Sequence, residues 1–276
     1  MHASAPLTPD ASERAPSNCI DLARYPVDDL DSPAGRALLA RCRAMMRDTG
    51  ACELPGFITA DALPRMAEES RQMMHKAHAF RGLVTPYLEV PDMTLPPEHV
   101  RRQFGRTATE VIAGDLVPPD HLTRRLYAWD PLMEFIGAVL GHARLYRYAC
   151  EMAALNVVGM KAGDELCWHF DQCDFVTSLA IVAPEAGGEF VYVPHLRSAT
   201  DENEAAVLDI LHAKDRRGTL VAMTPGTLLI FAGRHSLHRV MPIEGDTTRI
   251  VALFSHDTKP GTAPSPIAKL VRYGRA

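Results

Sequence analysis

No apolar run in this 276-residue chain approaches the roughly 20 residues needed to cross a bilayer, so no membrane helix is expected. A basic block is also missing. The formal net charge is -5 and the pI about 6.2. The densest cationic cluster, Arg101, Arg102 and Arg106, reads as a solvated face or an anion contact rather than a nucleic-acid surface. Six cysteines (Cys19, Cys42, Cys52, Cys150, Cys167 and Cys173) include no CxxC pair, which argues against a structural zinc site. The opening stretch MHASAPLTPDASERAPSN lacks the basic and apolar regions of an export signal. It is expected to be a disordered leader over residues 1–20, with the thiols reduced in a cytoplasmic protein. There is no internal repeat. Gly187 and Gly188 precede no helical pattern, so they mark a turn and not a phosphate loop.

What is present is ordinary for a globular protein. Hydrophobic residues make up 47% and charged residues 23%, enough to bury a core without a staple or partner. Residues 33–49 carry Leu38, Leu39, Cys42 and Met45 at helical spacing and stop at Gly50; ACELPGF then reads as a short strand and turn. A second helix is expected from Thr59 or Asp61 to about residue 80, and a third from Pro119 to about Leu140. Between them, residues 81–118 are Pro-rich and irregular, with a weak strand near Tyr87 to Val90. A connection of that length suggests a lid or binding loop. After residue 144 short runs rich in Val, Ile, Leu, Phe and Tyr alternate with turn residues, interrupted by the helical insertion DENEAAVLDILHA. Helices first and strands later predict an α+β fold, with helices in 21–143 packed on a jelly-roll core in 144–276. A segregated α+β sandwich is the alternative.

The candidate chemistry begins at WHFDQCDF. His169 and Asp171 are two apart, so an extended backbone puts both side chains on one face. Far downstream, GTLLIFAGRHSLHRVMPIEGDTTRIVALFS supplies His238. Two imidazoles and a carboxylate leave three positions of an octahedral metal open, an arrangement that favours non-haem iron(II). HxD alone is weak and also describes a surface strand with a solvated acid. His235, three residues before His238, falls on the opposite strand face. Asp174 has the wrong parity with His169. Cys167 and Cys173 are read as thiols beside the site and not as ligands.

Arg249, 11 residues after His238, deepens the pattern. If PIEGDT closes a hairpin, His238 pairs near Val251 and Arg249 shares its face. An arginine in the apolar run TRIVALF is costly without a partner, or else lies outward on an edge strand. A 2-oxo acid chelating iron needs such a cation for its distal carboxylate, and a planar guanidinium suits the role.

HxD, a distant His followed by RV, and an Arg about ten residues on together resemble the iron(II)/2-oxoglutarate-dependent dioxygenase superfamily, over roughly residues 144–260. The lines LNVVGMKAGDELCWHFDQCDF, GGEFVYVPHLR and PGTLLIFAGRHSLHRVMPIEG are similar to the branch of free-amino-acid halogenases and hydroxylases. In halogenating members a small residue replaces the metal carboxylate; here Asp171 occupies that position. The resemblance therefore implies a hydroxylase or related oxidase. It implies iron(II) on His169, Asp171 and His238, 2-oxoglutarate and oxygen as co-substrates, Arg249 as the carboxylate anchor, and a small amino-acid-like substrate.

Four lesser readings stay open. Asn156 either orients 2-oxoglutarate or a water, or makes a cross-strand hydrogen bond. Glu151 sits where relatives bind a substrate amine, and is equally an exposed acid. Trp168 is a substrate contact or a packing residue beside the metal ligand. Arg81, Tyr87 and Glu89 are substrate contacts or solvated loop residues. Two other functional classes remain: a zinc hydrolase or lyase on the same triad, for which Arg249 has no use, and a non-enzymatic β-sandwich sensor. Nothing in the sequence specifies the oligomeric state.

Overall fold

In the computed structural model, residues 16–276 are described. Of the expected leader, residues 1–15 lie outside the described residues. The rest is built into the fold: Pro16–Cys19 is a short 3-10 helix, and Cys19 and Ile20 are buried.

Seven α-helices follow in order: α1 (Pro33–Thr49), α2 (Leu63–Met73), α3 (Leu122–Ala128), α4 (Asp130–Leu140), α5 (Glu151–Ala154), α6 (Glu204–Leu211) and α7 (Pro266–Tyr273). The strands are β1 (Ala51–Leu54), β2 (His78–Val84), β3 (Gly105–Ala113), β4 (Tyr146–Arg147), β5 (Leu155–Met160), β6 (Leu166–His169), β7 (Val176–Val182), β8 (Ala186–Gly187), β9 (Phe190–Val193), β10 (Thr219–Val221), β11 (Leu228–Phe231), β12 (Leu237–Val240), β13 (Ile243–Glu244), β14 (Arg249–Phe254) and β15 (His256–Asp257). The helix read over 33–49 forms with those bounds. Ser32 caps it by accepting from Gly35 N, Pro33 enters at its first turn, and Gly50 ends it at φ 68°.

The main path of strands runs β1-β11-β7-β14-β5-β3 and then β6-β12-β9-β10, with β2 also on β3. The two halves join at a short crossing where Thr107 pairs with Leu166 and Ala108 N donates to Glu165 O, and the sheet folds over there into the two layers of a jelly roll. Helices α1 to α4 cover the outer face of the larger layer. Leu38, Met66, Leu126, Phe135 and Ile136 pack on Val157, Leu179, Ile230 and Ile250 in one buried cluster. The inner face of that layer carries Val111, Val158 and Val251, joined by Tyr273 from α7.

Several sequence expectations change. The N-terminal half is not only a helical layer: β1, β2 and β3 are members of the large sheet. The helix expected to reach residue 80 stops at Met73, and His78–Val84 becomes a strand against β3, while Tyr87–Val90 is not a strand. Pairing across 20 intervening residues decided those segments, which local periodicity cannot register. The third helix is divided by Trp129 into α3 and α4. Finally, the His238–Val251 hairpin does not form. β12 pairs with β6 and β9, β14 pairs with β5 and β7, and the intervening β13 pairs with β8. A jelly roll sends consecutive strands to opposite layers, which places His238 and Arg249 across the barrel from each other.

Candidate active site

His169 and His238 are directly opposed in the antiparallel pairing of β6 with β12. Their rings project to the same side with centroids 4.2 Å apart. His169 Nδ1 lies 2.8 Å from the Cys167 carbonyl oxygen, and His238 Nδ1 lies 2.9 Å from that of Ser236. A carbonyl can only accept, so each Nδ1 carries the proton and each Nε2 keeps its lone pair for the shared space. Phe190 and Phe231 hold the His238 ring from two sides.

Asp171 lies just beyond the end of β6. Phe170 is fully buried among Tyr87, Val193, Leu196 and Leu237, and its N–H donates to the Pro86 carbonyl at 2.7 Å. That anchor turns Phe170 away from the metal side and returns Asp171 to it. Asp171 N then donates to the Gly233 carbonyl at 3.1 Å. The carboxylate reaches 3.6 Å from His238 Nε2 and 4.0 Å from His169 Nε2. One ligand atom from each of the three lies within 4.8 Å of the others. Burial, with His238 beside it, holds His169 down at a pKa of about 4, so the imidazole is neutral near pH 7. Two imidazoles presenting Nε2 toward one carboxylate fit a divalent iron in a facial arrangement.

Arg249 begins β14 opposite Met160 of β5 and is 5% exposed. No ion pair reaches it among the described residues. Among the described residues its one side-chain hydrogen bond runs from Nη1 to Met160 Sδ at 3.8 Å. Burial pulls its pKa down to about 10, which still leaves the guanidinium charged at neutral pH. Above its stem lies the Gly187–Gly188 turn, where a β-carbon on Gly188 would come within 3.3 Å of Arg249 Cδ. Among the described residues no anion offsets the cost of burying this cation.

The lesser candidates fall in different places. Asn156 is buried with its amide engaged by protein: Nδ2 donates to Met152 O and Leu155 O, and Oδ1 accepts from Arg272 Nε at 3.1 Å and Tyr273 Oη at 3.0 Å. It ties α7 to the barrel. Trp168 lies on the opposite face of β6 from His169 and packs beneath Arg239, whose guanidinium carbon is 4.6 Å from the ring centroid. Glu151 is exposed in the first turn of α5. Arg81 pairs with Glu110 and Asp164, and Glu89 with Arg101. Tyr87 is buried against Phe170 and under the guanidinium groups of Arg101 and Arg197. Asp174 pairs with Arg234. Burial and the Asp171 carboxylate push the Cys173 thiol up, and burial does the same to Cys167, so neither offers a thiolate.

A cleft of about 370 Å³ opens beside the site. Its wall includes Gln172 and Cys173, the two residues after Asp171, with Tyr148, Arg234, Asp257 and Ser265. Arg197, Gly233, Arg272 and Tyr273 were given no role from sequence. Gly233 and Arg197 stood inside motif lines already quoted, but α7 gave no signal beyond one buried aromatic among exposed apolar residues.

Residues 35–264 match a model of the family described as Halogenase D. Among curated proteins, none matches the sequence. Solved structures share the fold at low identity. The α-ketoglutarate-dependent epimerase SnoN from nogalamycin biosynthesis is 17% identical with a TM-score of 0.56, over 84% of this chain and 91% of its own. AviO1 from Streptomyces viridochromogenes Tue57 is 15% identical with a TM-score of 0.55, over 82% and 97%. A 2OG-Fe(II) oxygenase family oxidoreductase from Burkholderia pseudomallei is 15% identical with a TM-score of 0.51, over 81% and 92%.

Proposed function

The chain belongs to the Halogenase D family and has the fold and metal triad of an iron(II)- and 2-oxoglutarate-dependent oxygenase; within that class we propose that it hydroxylates a small amino-acid-like molecule. The observation that carries the reading is the pairing of the His169–Asp171–His238 triad with Arg249, a buried cation that no acid among the described residues neutralises. A hydrolytic metal site has no use for such a cation. A chelating dicarboxylate does.

His169 and His238 would hold the iron through Nε2, and Asp171 through its carboxylate. Arg249 would receive the distal carboxylate of 2-oxoglutarate. The bound metal supplies oxygen activation coupled to oxidative decarboxylation of that co-substrate. The chain's own residues contribute the geometry: carbonyl-fixed tautomers and an anchored Asp171 loop. Asp171 fills the position that a small residue takes in halogenating relatives, which favours oxygen transfer over halogen transfer.

Anaerobic titration of the metal-free protein with iron(II) and 2-oxoglutarate tests the cofactor reading. A weak visible charge-transfer band is expected, lost in Asp171→Ala and His238→Ala and weakened in Arg249→Ala. Absence of the band with iron bound would remove the 2-oxoglutarate reading in favour of a hydrolase or a sensor. With the band in hand, amino acids that stimulate 2-oxoglutarate consumption identify the substrate class.

A further inference from the structure

Gly233 lies between β11 and β12, buried, with its carbonyl accepting from Asp171 N. Its φ is outside the left-handed region, unlike those of Gly50, Gly226 or Gly245, so nothing in its backbone conformation requires glycine. Its surroundings do. A β-carbon on Gly233 would overlap Asp171 Oδ2 and stand 2.6 Å from Asp171 Cγ and 2.9 Å from Asp171 Cβ.

Those contacts differ in kind. Overlap with a carboxylate oxygen alone could be relieved by turning the side chain. Crowding at Asp171 Cβ persists in every rotamer, because Cβ does not move when χ1 changes. The Asp171 backbone is itself held by the Gly233 carbonyl and by Phe170 buried next to it. Relief therefore means moving the ligand loop away from the histidine pair.

We propose that Gly233 is a positioning residue for the metal carboxylate: the missing side chain at 233 lets Asp171 stand within 4.0 Å of both imidazoles. The inference rests on the metal-site reading above and adds a requirement located on a different strand connection. It also makes the two positions reciprocal. A side chain at 233 is tolerated only when position 171 gives up its own side chain, the β-carbon included.

Four proteins test it: wild type, Gly233→Ala, Asp171→Gly and the double variant. Two readouts apply to each, cobalt(II) affinity by anaerobic titration and the thermal midpoint without metal. Gly233→Ala is expected to weaken cobalt binding tenfold or more and to lower the midpoint. In the Asp171→Gly background the same alanine is expected to cost nothing further in either readout. Wild-type cobalt affinity in Gly233→Ala, or an equal loss of midpoint in both backgrounds, overturns the proposal. If Gly233→Ala alone does not fold, recovery of folding in the double variant upholds it, and failure of both overturns it. A wild type that binds no cobalt rejects the metal site itself, while the midpoint comparison still judges the Asp171–Gly233 contact.

Discussion

Arg249 and Met160 are register partners across β14 and β5, and the guanidinium Nη1 meets the thioether Sδ at 3.8 Å instead of a carboxylate. A thioether is a weak acceptor that offsets little of the cost of burying a cation. Arg249 is therefore a cost to the ligand-free fold, as its proposed role of receiving a co-substrate carboxylate requires.

Stability and co-substrate affinity should respond to Arg249→Met in opposite directions. Removing an unpaired buried charge is expected to raise the stability of the ligand-free protein, by on the order of 1–4 kcal/mol. The same change should weaken 2-oxoglutarate binding by roughly 2–5 kcal/mol, since a desolvated carboxylate loses its partner. Denaturant melts and calorimetric titration of one variant test both; a less stable Arg249→Met would contradict the unpaired-charge account.

Arg197 supports the ligand loop from behind. Its guanidinium carbon lies 4.1 Å from the Phe170 ring centroid, and Nε donates to Arg234 O at 2.6 Å. Arg197→Ala is expected to loosen Phe170 and lower metal affinity several-fold, with Arg197→Lys giving little rescue because an ammonium cannot stack as a plane does. Glu202→Gln, which keeps the stack, should bind metal as the wild type does. Equal metal affinity in all three would show that the stack does not position Asp171.

Helix α7 depends on Asn156. Replacing it with Leu leaves Tyr273 Oη and Arg272 Nε without their acceptor and frees the Met152 and Leu155 carbonyls. Each buried group left unpaired costs about 1–3 kcal/mol. Limited proteolysis should then release the C-terminal segment of Asn156→Leu well before the core is cut. Simultaneous loss of both would place α7 within the global unfolding unit.

The metal-free protein should lose stability as pH falls. Burial holds His169 at about 4, and burial with Arg147 nearby holds His256 at about 3, against about 6.5 for an unfolded histidine. Between those values and 6.5 the unfolded chain binds more protons, so stability rises with pH through that window and declines on acidification. Each group contributes up to about 1.4 kcal/mol per pH unit there. Urea melts from pH 7 to pH 4.5 measure the slope. His256→Phe, next to the Tyr127 ring, should flatten it.

The sequence by itself determined the ligands. A histidine, a carboxylate two residues on, and a distant His-Arg-Val are chemical identities that folding cannot change, and the alternation of short apolar runs already implied the β core. It determined α1 as well, because Ser32, Pro33 and Gly50 act locally. Only the tertiary structure decided how the ligands meet. The hairpin inferred between His238 and Arg249 fails because neighbouring strands in the chain enter opposite layers. β2 and β3 were hidden because a strand is stabilised by partners distant in sequence, and local periodicity carries no record of them. The sequence left Asn156 between a co-substrate or water contact and a cross-strand hydrogen bond, whereas its oxygen is used by α7, more than 100 residues away. Gly233 is legible only in three dimensions: what requires a glycine there is the volume occupied by Asp171, and volume is a property of packing.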